Sequence, residues 1–280
     1  MSNITLTASM RTNLLSLQNT QSLMDTTQER LSTGLKVNSA IDNPSAYYTA
    51  QSLSNRANDL SSLLDSMGQG IQTIQAANEG IEAMTAFLEQ AKAIVSSAAD
   101  ATDAAEVGNY ADQFDEIMEQ IQAVAKDASY KGVNLLKGET LTVKFNEKTG
   151  ADVSSIDITG TDFTTLTNFH EKLAVAGENW VKDGAPDKAK IGEYMDAVSG
   201  AITKLRETAS ELGNNYSIVE NRQDFTENLI NVLTEGADKL TLADMNEESA
   251  NMLALQTRQQ LAINSLSLAS QAAQSVLKLF

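Results

Sequence analysis

In "LSNRANDLSSLLDSMGQGIQTIQAANEGIEAMTAFLEQAKAIV", residues 53–95, Leu53, Leu60, Met67, Ile74, Ile81, Leu88 and Val95 stand seven apart. Leu64, Ile71, Ala77, Met84 and Ala91 fill the intervals, with one local phase shift where Ile71, Ile74 and Ala77 follow each other at steps of three. Side chains three, four and seven apart share one face of an α-helix. The stretch therefore predicts a helix of about fifty residues, ~75 Å long, with a single apolar seam. Such a helix needs a partner along its length, because tertiary burial of the face contributes most of a helix's stability. Ile191, Val198, Leu205, Leu212 and Val219 form a second series of sevens, and Phe225, Leu229 and Val232 or Leu233 are expected to continue its face. A long helix beginning near Pro186 is thus the natural partner of residues 45–98.

Outward from this pair, residues 4–35 read as another helix. Met10, Leu17, Met24 and Leu31 recur at sevens, with Leu14 inside the first interval and Leu35 one turn after the last. Gly34 suits a left-handed C-terminal stop. Asp42 or Asn43 can cap a new helix, and Pro44 fits its first turn, where the missing N–H is no loss. A third helix is expected at about 104–129, with Val107, Tyr110, Phe114, Ile117, Ile121, Val124 and Ala128 on its apolar face. "YKGVNLLKG" (130–138) reads as a turn with a short extended segment. Alternating Leu141, Val143 and Phe145, then Ile156 and Ile158, predict a β-hairpin within about 138–160. A short helix is expected near 163–176. "TEGADKLTLADMNEES" (234–249) suggests a break before a last helix at about 243–279. That helix carries Leu253, Leu255, Leu261, Ile263, Leu266, Leu268, Val276, Leu277 and Phe280 on more than one face. The expected fold is mainly α: a long antiparallel helical bundle or coiled coil, a small β-hairpin insertion, and N- and C-terminal helices paired.

Charge is unevenly distributed. Residues 1–24 hold only Arg11, and residues 249–280 only Arg258 and Lys278, so all 37 acidic side chains lie between 25 and 248, against 17 basic ones. Flexible tails are usually rich in charge and poor in leucine. These ends are the reverse, and they read as surfaces built to be buried against something. The net charge of −17 argues against nucleic acid as a partner, since phosphate contact needs clustered Lys and Arg, and disfavours an anionic membrane. No run of about 18 apolar residues marks a membrane span, and no cleaved secretory signal is expected. The chain has no cysteine, hence no disulfide, thiolate metal site or cysteine nucleophile.

No catalytic or cofactor constellation stands out, and no cofactor is expected. His170 is the single histidine, too few for a histidine metal site. "GQG" at 68–70 lies inside the heptad helix and does not follow a strand, so it is no dinucleotide loop. Asp112, Asp115, Glu116 and Glu119 read as a solvated helix face, and Trp180 as local packing.

"QERLSTGLKVNSAIDNPSAYYTAQSL" (28–53) resembles the N-terminal signature of bacterial flagellins. "NRQDFTENLINV" (221–232) resembles the start of that family's C-terminal half, and "ADMNEESANMLALQTRQQLAINSLSLASQAAQSVLKLF" (243–280) its end. The resemblance covers about 1–135 and 185–280. It implies a structural subunit, not an enzyme, that self-assembles into the extracellular flagellar filament for swimming and is exported unfolded by the flagellar type III apparatus. It further implies terminal helices 1–43 and 240–280 in an inner tube (D0) and a bundle at 44–239 in the next shell (D1). On that reading Leu14, Leu17, Leu31, Leu35, Leu253, Leu261, Leu268 and Leu277 take part in filament assembly. The partners implied are further copies of the chain, an export chaperone, the filament cap and hook–filament junction proteins, with neither nucleic acid nor membrane. A junction protein, which shares the terminal signatures, is the alternative; an enzyme in the middle segment would need metal ligands that one histidine does not supply.

One segment departs from the family pattern. Many flagellins read L-Q-R-x-R-E-L-x-V-Q-A where this chain has "LEQAKAIVSSA" (88–98), and an innate immune receptor recognises that segment in them. Here the positions are Leu88, Glu89, Gln90, Lys92 and Ile94, with Gln90 in place of a frequent Arg and Ala93 in place of Glu. Loss of a five-donor planar cation removes charge-assisted hydrogen bonds, so weak or absent recognition is expected.

Overall fold

A computed structural model describes residues 8–169, 173 and 180–277. The order of elements is α1 (Ala8–Thr33), α2 (Pro44–Asp100), α3 (Ala104–Asp127), β1 (Thr140–Lys144), β2 (Ser155–Thr159), α4 (Leu166–Phe169), β3 (Val181–Lys182), β4 (Ala185–Pro186), α5 (Lys188–Thr241) and α6 (Met245–Leu277). The chain divides into two compact units, residues 1–57 with 231–280, and residues 58–230.

In the larger unit the core lies where α2, α3 and α5 meet. Met67, Ile74, Ile81, Leu88 and Val95 of the α2 heptad series are all buried, as are Ile191, Val198, Leu205, Leu212 and Val219 of α5. α3 presents Val107, Phe114 and Ile121 to the same core, together with Ala111, Met118 and Ala125. Asp103 starts α3 by accepting from the Ala105 N–H at 3.2 Å, a side-chain cap that satisfies one of the orphan donors at a helix start. Ring centroids of Phe114, Trp180 and Tyr194 lie 5.3 to 5.8 Å apart in tilted or edge-on pairs, so Trp180 is a packing residue. Among the described residues its own N–H finds no hydrogen-bond partner.

β1 and β2 form an antiparallel hairpin, pairing Leu141 with Ile158 and Val143 with Ile156. Val143 and Ile158 turn into the core. The hairpin comes close to α2 at Gly70, where a Cβ would stand 2.8 Å from the Val143 side chain. At Gly80 a Cβ would stand 2.8 Å from both Ala128 and Leu136. The "GQG" glycine at 70 therefore serves close packing. Asn134 pins the turn before the hairpin. Its Nδ2 donates to the carbonyls of Ala125 and Lys126, and its Oδ1 accepts from the Leu136 N–H.

Three details differ from the sequence reading, and a fourth is only partly described. A two-residue hairpin, β3–β4, precedes α5 and lies on α3; Pro186 belongs to it, and α5 begins at Lys188. Of the short helix expected near 163–176 the described residues hold Leu166–Phe169; residues 170–172 and 174–176, His170 among them, lie outside the described residues. The expected break at 234–249 narrows to 242–244, because α5 runs through Gly236 to Thr241. An isolated glycine costs a helix only about 1 kcal/mol, and here Leu53 packs against its bare backbone. Finally, Phe225 and Val232 are 58 and 63 % exposed and do not continue the core face. The buried series steps from Val219 to Thr226 and Leu233, with the Thr226 hydroxyl donating to the Arg222 carbonyl at 2.9 Å.

In the smaller unit α1 and α6 pair along their lengths. Gln21 meets Gln259, and Arg30 meets Glu248; the later residue of α1 meets the earlier residue of α6, so the pair is antiparallel. The N- and C-terminal helices are thus paired, as expected.

Candidate assembly surfaces

The α1–α6 pair is held by a thin, partly polar seam. On α1 the inward residues are Met10, Thr20 and Thr27, with Leu17, Met24 and Leu31 half-buried. On α6 they are Glu248 and Leu255, with Met252, Gln259, Ala262 and Leu266 half-buried. Both series step by three and four, the spacing of a two-helix seam. The strongest single tie is ionic: Arg30 Nη1 donates to Glu248 Oε1 at 2.8 Å, with the glutamate side chain largely buried and the arginine one-third exposed. Two threonines and a glutamate in a seam this short leave the pair with little apolar burial of its own.

The remaining faces carry uncovered leucines. Leu253, Leu261 and Leu268 are 66, 63 and 67 % exposed on α6, where Ile263 is also exposed; on α1 the exposed ones are Leu14, Leu15 and Leu23. Of the residues expected in assembly, Leu14, Leu253, Leu261 and Leu268 thus lie on open faces. Leu17 and Leu31 lie half-buried on the seam side, and Leu35 is half-buried beyond α1. The Leu277 side chain lies outside the described residues.

The stretch between α1 and α2 is a built loop. Gly34 takes the left-handed conformation (φ 74°) and its N–H returns to the Arg30 carbonyl, closing α1 as the sequence suggested. Leu35 then bridges Leu242, the Lys36 and Val37 N–H groups donate to the Thr241 carbonyl, and the Ala243 N–H donates to the Gly34 carbonyl. Those bonds occupy the chain end of α5, so one short segment closes two helices at once. Asp42 ties the rest: its carboxylate accepts from the N–H groups of Asn38 and Ser39 and from the Ser39 hydroxyl. The Ser39 amide, assisted by Asn38, holds the Asp42 carboxyl below its ordinary value. Asn43 caps α2 by accepting from the Ala46 N–H, and Asp244 caps α6 by accepting from Asn246 and Glu247. The second cap was readable, since Asp244 stands three residues before Glu247. The pairing of 35–37 with 241–243 has no local signal, because it joins segments two hundred residues apart. Within this fixed loop Ile41 points to solvent, 93 % exposed.

In segment 88–94 Leu88 is buried and Ile94 half-buried, so Glu89, Gln90 and Lys92 make its solvent face. Glu89 and Arg206 approach to 4.0 Å with both side chains mostly exposed, a contact worth little in water. Asp112, Glu116 and Glu119 are exposed and Asp115 half-buried on α3. Among the described residues no group of His, Cys, Asp or Glu is disposed to hold a metal ion, and no helix is long and apolar enough to cross a membrane.

Residues 3–140 match the family model described as the bacterial flagellin N-terminal helical region, and residues 195–280 that of the bacterial flagellin C-terminal helical region. The chain is 31 % identical to a flagellin of Brucella melitensis biotype 1, an alignment covering 100 % of this chain and 99 % of that one. It is 30 % identical to flagellin FljK of Caulobacter vibrioides, over 95 and 94 % of the two chains. The crystal structure of Bacillus cereus flagellin overlaps 57 % of this chain and 88 % of its own, with a TM-score of 0.48 and 10 % identity.

Proposed function

The chain belongs to the bacterial flagellin family, a structural subunit of the extracellular flagellar filament that serves motility and not an enzyme, and we propose that it builds that filament by self-assembly through its terminal helices. The observation that carries this reading is the state of α6. One face is spent on α1, and Leu253, Leu261 and Leu268 are left to water on the others. Covering one such side chain contributes roughly 1.5–3 kcal/mol, and in a tube of like subunits each helix has several neighbours to do so. The near absence of charge in residues 1–24 and 249–280 lets identical ends approach without repulsion. On this reading residues 1–43 and 240–280 line the inner tube and residues 44–239 the shell around it. Leu17, Leu31 and Leu35 hold the pair together, while Leu14, Leu253, Leu261 and Leu268 face other copies; Leu277 belongs to the same assembly set.

Export proceeds as an unfolded chain through the flagellar type III apparatus. An export chaperone, the filament cap and the hook–filament junction proteins are the other partners. Recognition by the innate immune receptor that reads the family's 88–98 segment is weak, because Gln90 and Ala93 withhold the charges its pattern carries. A reporter-cell assay is expected to give little or no response, and full family potency would contradict this. The assembly reading is tested by adding purified monomer to short sheared filaments of the same protein and viewing the product by electron microscopy. Continuous growth from the seeds is expected. Seeds that stay short at high monomer concentration would refute it, and growth limited to a single added layer would favour a junction protein.

A further inference from the structure

The chain has no Asn-Gly pair, so the asparagine most open to spontaneous loss of its side-chain amide is set by backbone and neighbour. In a helix the next N–H is tied into the ladder of backbone bonds, which keeps its nitrogen from attacking the side chain. Among the described residues the asparagines outside helices are Asn38, Asn43, Asn134 and Asn146, followed by Ser, Pro, Leu and Glu. Proline has no N–H with which to attack, Asn134 is buried, and a glutamate side chain crowds the approach more than a serine does. That leaves Asn38 and Ser39, in the loop between α1 and α2, with Asn38 exposed.

We propose that Asn38 is the deamidation site of this chain and that Asp42 guards it. In the reaction the Ser39 nitrogen gives up its proton and attacks Cγ of Asn38. The N–Cγ bond forms, the Cγ–Nδ2 bond breaks, and ammonia leaves. Water then opens the five-membered ring at either carbonyl, giving an aspartyl or isoaspartyl residue at 38. The nucleophile is the deprotonated amide, and the Ser39 N–H is the one that donates to Asp42 Oδ2 at 2.9 Å. A carboxylate there opposes loss of the proton, because it would face an anionic nitrogen. The same oxygen accepts from the Asn38 N–H at 3.1 Å. The nitrogens at both ends of the Asn38 ψ torsion thus share one acceptor, which locks the torsion that ring closure uses. The side chain has a longer tie of its own, from Nδ2 to Glu29 Oε1 at 3.4 Å. The product would disrupt this place. A carboxylate at 38 would stand where the amide now meets Glu29, with like charges facing. The isoaspartyl form would also lengthen the backbone just after Lys36 and Val37, whose N–H groups donate to the Thr241 carbonyl. By holding Asn38 intact, Asp42 preserves the segment that closes α1 and α5 together.

The test is peptide mapping by mass spectrometry after incubation of the full chain at mildly alkaline pH, where Asp42 is ionised and ring closure runs. The folded parent should deamidate at 38 at least about tenfold more slowly than the same chain unfolded in guanidinium chloride, the factor supplied by a hydrogen bond to a charged group at its weaker end. Asp42→Ala should remove most of that factor at 38 and leave Asn146, in the turn between β1 and β2, at the parent's rate. A folded parent that loses the amide at 38 as fast as the unfolded chain overturns the proposal, and so does an Asp42→Ala chain that keeps the parent's rate. A rise shared equally by Asn146 would mean general loosening and overturns the guard as well. A second pair of variants reads the product. Asn38→Asp should quicken exchange of the Lys36 and Val37 amides more than Asn38→Ser, which loses the same amide without adding charge; equal exchange in the two overturns the disruption assigned to the product. All of these measurements are made on the monomer, so their outcome is independent of the filament reading.

Discussion

Gly160 has no room for a side chain: a Cβ there would collide with the Leu135 carbonyl oxygen and lie 2.7 Å from its carbon. Backbone cannot retreat as a flexible side-chain end can, so Gly160→Ala should lower stability by about 3 kcal/mol, read from thermal or denaturant unfolding. A loss under about 0.5 kcal/mol would mean that the chain around 135 is looser than described. Asp42 acts through charge. The Ser39 and Asn38 amides favour its ionised form, so its carboxyl titrates lower folded than unfolded. The stabilisation is complete above the ordinary value of 3.8 and is lost as pH falls through the lower, folded value. Exchange of the Ser39 amide should therefore stay slow down to about pH 4 and quicken only below it; Asp42→Asn should be fast throughout. Loss of protection already near neutrality would contradict this. The Asn43–Pro44 start was legible because cap and first turn lie within three residues. The role of Asp42 was not, because a carboxylate that closes a loop and one that caps a helix look alike in sequence.

At the level of elements, steps of seven located α2 and most of α5 because each series faces a continuous core. They misplaced the end of the α5 series because the next inward residue is Thr226 and its neighbour Phe225 is apolar. A periodicity argument follows hydrophobicity, and here the hydrophobic residue sits one position off the buried face. The β3–β4 hairpin, two residues to a strand, is too short to show alternation. Asn134 shows how one side chain can join elements. It donates to two carbonyls at the end of α3 and accepts from the Leu136 amide. Asn134→Ala strands these buried groups and should cost about 2–4 kcal/mol, with α3's last turn losing exchange protection first. A fall of less than about 0.5 kcal/mol would show that other groups or water replace it.

For the whole molecule the most telling feature was its charge partition, visible before any element was assigned. It separated ends rich in leucine from an acidic middle, and Leu253, Leu261 and Leu268 of the last helix prove to lie largely in water in the single chain. Sequence could not say which of them α1 covers, since α6 is apolar on several faces and the choice is made by a helix more than two hundred residues away. A pair with two threonines and a glutamate in its seam, and open leucines elsewhere, has little stability without neighbours. The most direct measurement is hydrogen exchange of the α1 and α6 amides, 8–33 and 245–277, in monomer and in seeded filaments of the same protein. Exchange in both helices should slow by orders of magnitude on assembly, while the α2 and α5 segments within 58–230 change little. Equal, strong protection of α1 and α6 in the free monomer would show that the terminal helices are complete without other copies, and would contradict the account.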